Sequence, residues 1–170
     1  MKKSLLALIL VLCLGFAMVF TSCGEETETF TNGRISIDLP LYFSEDDLED
    51  GSVMFYTPVV GVKTYSLTES EFRAAYSYTG DSISLSTFAN CYAEYTNTAK
   101  EQMQVIIDEE KQMLSFSYAA SEDDVAYNHY FYYVFLKDNC FFIIAMSCDD
   151  DHIAEYDSKF IDWAESIRID

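Results

Sequence analysis

The chain has 170 residues, of which 10 are Lys or Arg and 29 are Asp or Glu, so its formal net charge is −19. An acidic surface of this kind repels phosphate backbones, and no basic stripe follows the first residues, which argues against nucleic acid as a partner. Anionic lipid headgroups are also repelled, so we expect membrane association to depend on an anchor rather than on the domain surface.

The N-terminus has the order of an export signal. Two lysines precede an apolar run over residues 5–20, and the small polar residues Thr21 and Ser22 follow it. The run has 16 residues, fewer than the roughly 20 that a helix needs to cross a bilayer. We therefore predict a cleaved signal peptide over residues 1–22 rather than a permanent transmembrane helix.

The stretch Val19–Gly24 resembles a bacterial lipoprotein box, in which signal peptidase cuts just before a cysteine that then carries diacylglycerol. Ser22 before Cys23 and Gly24 after it fit that pattern. The resemblance implies a lipoprotein that begins at Cys23 and is held by its acyl chains at the extracytoplasmic face of the cell membrane. An ordinary cleaved signal peptide and an uncleaved anchor are the alternatives.

The mature chain divides into a short leader and one domain. Residues 23–33 comprise the anchor cysteine and a small, polar, acidic segment, which we expect to be a flexible tether. Patterning typical of a folded domain begins at Arg34 and continues to the last residue. A single globular α+β domain over residues 34–170 is therefore predicted, with one hydrophobic core.

The first half of this domain predicts three strands and two helices. Apolar and polar residues alternate over residues 34–40, and two more strands are indicated over residues 52–57 and 59–65. Thr68–Glu71 matches a capping box that begins a short helix. Ser86 begins a longer one, because apolar residues then recur every three or four positions.

The second half predicts four strands and a final helix. The strands cover residues 104–109, 112–121, 125–137 and 140–148. The last two are apolar at nearly every position and are joined by a turn at Lys137–Asn139, so we expect a central hairpin covered on both faces. The final helix, over residues 152–169, lies on the sheet through one apolar stripe: Ile153, Tyr156, Phe160, Trp163, Ala164 and Ile167.

This order of elements resembles the PsbP-like superfamily. The shared features are a first strand that ends in Pro40, further strands, a helix, four antiparallel strands and a last helix that runs into residues 165–169. The resemblance covers Arg34–Ile169 and implies an α/β/α sandwich: an antiparallel central sheet packed by helices, in proteins that mostly bind partners rather than catalyse. A cone-shaped α+β domain, with a curved sheet around a pocket, is the alternative fold.

Three cysteines remain after Cys13 and Cys23 are set aside. Cys140 and Cys148 lie eight residues apart in one predicted strand, about 26 Å at 3.3 Å per residue, so they cannot form a disulfide with each other. Cys91 could pair with either of them. An odd number of cysteines in apolar surroundings favours buried thiols instead.

Residues for catalysis or metal binding are few. His129 lies in an aromatic strand, where it is either a satisfied histidine of a sheet face or half of a dyad with Cys91 or Cys140. Cys148 and His152 would supply two soft metal ligands, with no third partner visible. No catalytic, cofactor-binding or metal-binding residue is therefore predicted.

Three acidic clusters could hold calcium, at residues 45–50, 121–124 and 149–151. The first is not an EF-hand loop, because Leu48 stands where an oxygen ligand is required. We expect Asp149–Asp151 to cap the final helix, where carboxylates accept from free amide groups.

The aromatic rings of residues 127–142 are the most unusual feature of the composition. Alternation places Tyr130 and Tyr132 on one face of the strand, and His129, Phe131 and Tyr133 on the other. Both faces are core, or one of them is incompletely covered and binds a peptide, a glycan or a partner protein.

These features together favour a lipid-anchored, extracytoplasmic, non-enzymatic binding or accessory protein, with Cys23 as the lipid attachment site and an unidentified protein or small molecule as partner. A cell-envelope enzyme of the hydrolase type, using His129 and carboxylates, is the first alternative. A weak calcium-binding surface protein and a purely structural envelope protein are the others.

Overall fold

The computed structural model describes residues 25–97, 102–122 and 126–170. At positions 121, 122, 126 and 127 it describes the backbone but not the side chain. The strands are β1 (Thr27–Asn32), β2 (Ile35–Pro40), β3 (Ser44–Asp47), β4 (Val53–Tyr56), β5 (Val60–Thr68), β6 (Ile106–Asp108), β7 (Met113–Glu122), β8 (Ala126–Lys137), β9 (Cys140–Asp149) and β10 (Arg168–Ile169). The helices are α1 (Glu69–Ala75), α2 (Leu85–Thr96) and α3 (Ile153–Glu165). Within these described ranges, no helix has the length and apolarity needed to cross a membrane.

The strands form two antiparallel sheets. The larger has seven strands in the order β3-β4-β5-β9-β8-β7-β6, and the smaller has three in the order β1-β2-β10. The predicted central hairpin is confirmed, since β9 pairs along its whole length with residues 128–137 of β8. Its turn contains Asp138 and Asn139, both in the left-handed region with φ of 52° and 57°. Two successive left-handed residues are typical of a tight hairpin turn whose twist matches that of the strands.

Each face of the large sheet is covered by different elements. Helices α1 and α2 cover one face, and α3 together with the small sheet covers the other. The predicted α+β sandwich with helices on both faces of an antiparallel sheet is therefore confirmed.

Part of the predicted tether belongs to the fold. Thr27–Asn32 pairs residue for residue with β2, and Phe30 is buried, its ring centroid 5.0 Å from that of Phe55. The expectation of a flexible segment over residues 23–33 is wrong for this stretch. One buried ring and a hairpin turn at Gly33, with φ of +58°, are enough to order it, because β2 supplies the remaining backbone partners.

Two helix boundaries differ from those expected. The capping box at the start of α1 is confirmed. Helix α2 begins two residues earlier than predicted, because the hydroxyl of Ser84, not that of Ser86, accepts from the Thr87 amide at 3.0 Å. Helix α3 ends at Glu165, since the chain then extends so that Arg168–Ile169 pairs with β2.

The apolar stripe of α3 lies on the sheet as predicted. Tyr156, Phe160 and Trp163 are its buried residues. The Phe160 ring packs against Phe131 of β8 with centroids 5.0 Å apart, and the edge of Trp163 meets Phe43 at 5.4 Å.

Truncation of Trp163 tests this packing. We expect Trp163→Ala to lower the free energy of unfolding by about 3–5 kcal/mol, because the indole is 6% exposed and leaves a cavity among rings. The matched control is Asp162→Ala, the exposed neighbour on the same helix, with an effect within about 0.5 kcal/mol. Thermal or urea unfolding measures both; equal losses would contradict the packing.

Candidate functional site

The residues that the sequence singled out for chemistry do not converge on one site. Cys23 lies outside the described residues, and for residues 121–124 no side chain is described. His129 lies near the start of β8, where its Nε2 is 2.8 Å from Oδ1 of Asp150. Cys91 is on α2, and Cys140 is at the far end of β9, so the structure brings neither to His129.

A different cysteine lies beside His129. Cys148 of β9 is the direct cross-strand neighbour of His129, so the two side chains leave the same face of the sheet. Asp150 bonds to the other side of this pair, so a thiol, an imidazole and a carboxylate follow one another as they do in the catalytic triads of enzymes that use a nucleophile. The sequence alone does not reveal this triple, because it depends on the register of β8 against β9.

The Cys148 thiol is not activated in this triple. It is 3% exposed in the core beneath α3, and burial, followed by the charges of Asp149, Asp157 and Asp150, raises the pKa of Cys148 to about 11. A thiol nucleophile needs the opposite environment, in which its pKa falls and the thiolate is exposed. At neutral pH Cys148 is a protonated core residue.

The other cysteines are also free thiols. Cys91 pairs with neither Cys140 nor Cys148, and burial raises the pKa of both Cys91 and Cys140. All three thiols are unpaired, but the prediction of buried thiols is met by Cys148 alone, since Cys91 and Cys140 are only partly buried.

The acidic run before α3 bonds to the two histidines. Asp149 accepts from the His152 amide at 3.1 Å and also from the ring of His152, and the bond to the ring, with the surrounding negative charge, raises the pKa of that imidazole. The expectation that this run caps the helix is wrong, because no side chain caps the start of α3: Asp149 accepts only from His152, which precedes the helix, and the hairpin register places His129 within reach of Asp150.

The remaining acidic residues do not gather into a metal centre. Asp50 accepts from the Ser52 amide at 3.0 Å and from the Lys63 ammonium at 3.1 Å, so the loop of residues 45–50 uses this carboxylate internally. Among the residues that the structure describes, no group of three or more His, Cys, Asp or Glu side chains is placed to hold a metal ion.

The first aromatic face of β8 is core around Tyr132, whereas Tyr130 lies at its end and lines a cavity of about 400 Å³. Tyr130 stacks on Tyr118 with centroids 5.2 Å apart, and Tyr132 stacks on Phe116 at 4.8 Å. Tyr92 of α2 covers these rings, and its hydroxyl lies 2.8 Å from that of Tyr118. The polar tips thus satisfy each other inside the sandwich.

The second face is only half covered. It carries Phe131, Tyr133 and Phe135, and α3 packs across Phe131 while leaving the neighbouring strands β7 and β6 open. Two cavities follow this gap, of about 470 and 340 Å³, and both are lined by Tyr133 and Ile161. We call this feature the α3 groove.

Three elements supply the surfaces of the α3 groove. Its floor is formed by β8 and by the cross-strand neighbours of those rings on β7: Met113, Ser115 and Ser117. Its wall is the outer side of α3, which includes Asp157, Ile161, Ala164 and Glu165. Ile106 of β6, 64% exposed, closes the opposite side.

The groove combines an apolar floor with charged margins. Burial raises the pKa of Tyr133 to about 12, and the nearby carboxylate of Asp157 contributes, so the phenol remains a neutral hydrogen-bonding group. Asp157 and Glu165 carry negative charge along one margin, and Lys111 stands at the end where β6 turns into β7. This arrangement suits binding rather than proton transfer.

The aromatic half of the groove was anticipated, whereas its wall was not. The sequence indicated that one face of β8 could be incompletely covered, and Tyr133 belongs to that face. Ile161 and Ile106 were missed. The available signal was Ile161 itself, a large apolar residue outside the stripe of α3, which is 53% exposed.

Comparisons with known proteins concern the fold alone. The solution structure of cyanobacterial PsbP (CyanoP) from Synechocystis sp. PCC 6803 is 12% identical, with a TM-score of 0.48 over 89% of this chain and 99% of that one. A crystal structure from Bacteroides thetaiotaomicron VPI-5482 is 9% identical, with a TM-score of 0.52 over 85% of this chain and 48% of that one. This chain thus spans about half the length of the Bacteroides protein. No protein-family model and no curated protein matches the chain.

The environment of Cys148 predicts slow thiol chemistry. At about pH 8 we expect native protein to react with a disulfide reagent at Cys148 at least about a hundredfold more slowly than a free cysteine, because the thiol is both buried and protonated. Protein unfolded in urea is the control and should react fully. Rapid labelling of native Cys148, mapped by mass spectrometry, would instead indicate an activated nucleophile.

Proposed function

We propose that this chain is a lipid-anchored, extracytoplasmic, non-enzymatic binding or accessory protein, and that the α3 groove is its binding surface. The observation that carries the proposal is the half-covered aromatic face of β8, with Tyr133 and Ile161 lining both cavities. The lipoprotein box around Cys23 supports the anchor.

The shape of the groove favours an extended polypeptide as the occupant. Strand β6 ends the large sheet and lies beside the groove, and no other described strand pairs with its outer backbone groups. A segment added to this edge would pair with β6 and direct alternate side chains towards Ile106 and the floor. Apolar side chains at those alternate positions would complete the cover that α3 leaves unfinished.

Charge favours a basic segment. Without the two lysines of the predicted signal, 8 basic residues face 29 acidic ones, so the mature chain has a net charge of −21. The margin at Asp157 and Glu165 has the same sign as the domain as a whole. We therefore propose a partner segment in which apolar residues alternate with Lys or Arg, since complementary charge speeds encounter and fixes register.

The properties of the Cys148, His129 and Asp150 triple favour binding over the enzyme alternative. An acyl-transfer or hydrolytic mechanism at this place needs an accessible nucleophile, and the thiol that the structure places beside His129 is buried and has a raised pKa. The calcium alternative is not favoured at residues 45–50, where Asp50 is already engaged by Ser52 and Lys63.

Synthetic peptides test the groove directly. We expect a short capped peptide that alternates Val and Lys to bind the domain, and the matched Val and Glu peptide to bind at least about tenfold more weakly, because the margin is acidic. Ile106→Ser and Ile161→Ser should each weaken the first peptide severalfold, as both side chains line the groove. Fluorescence anisotropy measures the affinities.

The control for this experiment is Val105→Ser. Val105 is the exposed neighbour of Ile106 but lines a cavity on the α2 side of the sheet, so its loss should leave peptide affinity unchanged. Equal affinity for the basic and acidic peptides, or equal losses at Val105 and Ile106, would contradict the proposed groove.

The anchor is tested separately. We expect protein from an intact bacterial host to lack residues 1–22 and to carry acyl mass on Cys23, and Cys23→Ser to abolish that mass and release the protein from membranes. Thr21→Ser, which keeps a small hydroxyl side chain outside the two positions that flank the cysteine, is the matched control and should remain acylated. An intact Met1 end without acyl groups, found by mass spectrometry, would contradict the anchor.

A further inference from the structure

Two exposed apolar side chains stand where the chain enters the fold. The loop after β2 contains Leu41 and Tyr42, which are 49% and 50% exposed. The entering chain lies directly against this loop: the Leu41 amide donates to the Glu26 carbonyl at 3.1 Å, and the Tyr42 hydroxyl donates to Glu25 at 2.9 Å. The first described residues and the loop therefore form one surface.

The core holds this loop in place. The Tyr42 ring stacks on Phe43 with centroids 5.6 Å apart, and Phe43 is buried with its ring against Trp163 of α3. The chain of three rings supports the exposed end from inside. Leu41 and Tyr42 are thus presented on an ordered base, and about half of each residue's surface is left exposed by the described part of the chain.

The distance to the anchor is short. Cys23 precedes Glu25 by two residues, which span at most about 7 Å between Cα atoms. An acylated Cys23 would therefore keep Leu41 and Tyr42 at the surface of the bilayer. Transfer of the leucine side chain from water to that region lowers the free energy, and tyrosine is favoured because its ring is apolar while its hydroxyl, which here donates to Glu25, can stay among polar groups.

We infer that Leu41 and Tyr42 rest in the headgroup region of the bilayer that holds the acyl chains of Cys23, and so fix the orientation of the domain. The inference rests on the proposed lipid anchor. The contact supplies orientation rather than affinity, because two side chains bury little area compared with the acyl chains. Glu25 and Glu26 lie beside the loop, so a zwitterionic surface suits it better than an anionic one.

This orientation leaves the α3 groove open. Lys159 approaches Glu25 of the entering chain at 4.0 Å, whereas Ile161 lines the groove. Two residues correspond to about 200° around a helix axis, so the entry side and the groove side are opposite sides of α3. A domain resting on Leu41 and Tyr42 would direct its groove away from the point of attachment.

The test uses the chain from Cys23 onwards, coupled through that cysteine to a maleimide lipid in phosphatidylcholine vesicles, so that it does not depend on acylation in cells. We expect lipids brominated near the headgroup to quench a Tyr42→Trp indole at least about twofold. Tyr95→Trp is the matched control, since Tyr95 is 74% exposed on α2 and should not be quenched. Adding Leu41→Ser to Tyr42→Trp should reduce the quenching.

A second measurement needs no substitution. In the unmodified sequence, amide hydrogen exchange of residues 41–44 should slow severalfold on vesicles and remain unchanged around Tyr95. Equal quenching at positions 42 and 95, or unchanged exchange at residues 41–44, would overturn the inference. Because the coupling is chemical, that result would leave the anchor proposal standing. Conversely, unacylated protein from cells would contradict the anchor proposal, but it would not change the quenching or the exchange measured on the chemically coupled protein.

Discussion

The β8–β9 hairpin sets the constraint on which the rest of the structure depends. Its strands are apolar on both faces, so both faces need cover, and the three helices and the small sheet are placed to supply it, while the other strands extend the sheet at its two edges. Helices α1 and α2 complete one cover, with Phe72 and Phe88 both packed on Phe141. The other face is covered jointly by α3 and the small sheet, and the part of this face that neither of them covers is the α3 groove.

The incomplete cover follows from dimensions. A helix with its side chains is about 10 Å across and strands lie about 4.8 Å apart, so one helix covers about two strands. Helix α3 lies over β8 and β9, and the small sheet packs beside it. On β7 the sequence tolerates this gap, because the neighbours of Phe131 and Tyr133 are Ser117 and Ser115 rather than large apolar residues. The exposed area is therefore confined to a narrow aromatic strip.

The sequence predicted the elements whose patterns are local. Period-two alternation, the capping box at Thr68 and the stripe of α3 were sufficient for the individual elements and for Trp163 as a core residue, whereas the sandwich was implied by the family resemblance of their order. Features that depend on register were not predictable. Strand β1 has a single buried ring and is ordered by pairing, and Asp150 meets His129 only because of how β8 aligns with β9. The groove divides in the same way. The position of Tyr133 follows from local alternation and was predictable, whereas that of Ile106 depends on the pairing of β6 with β7 and was not.

Helix α3 links these features because each of its sides meets a different part of the molecule. Its apolar stripe closes the core through Trp163, which also supports the entry loop through Phe43. Lys159 faces the entering chain, and Ile161 faces the groove. A single rigid element therefore fixes the direction of the groove relative to the point where the chain enters. In a protein tied to a surface at that point, the packing that stabilises the fold also keeps the binding face clear of the surface, without a separate hinge or spacer.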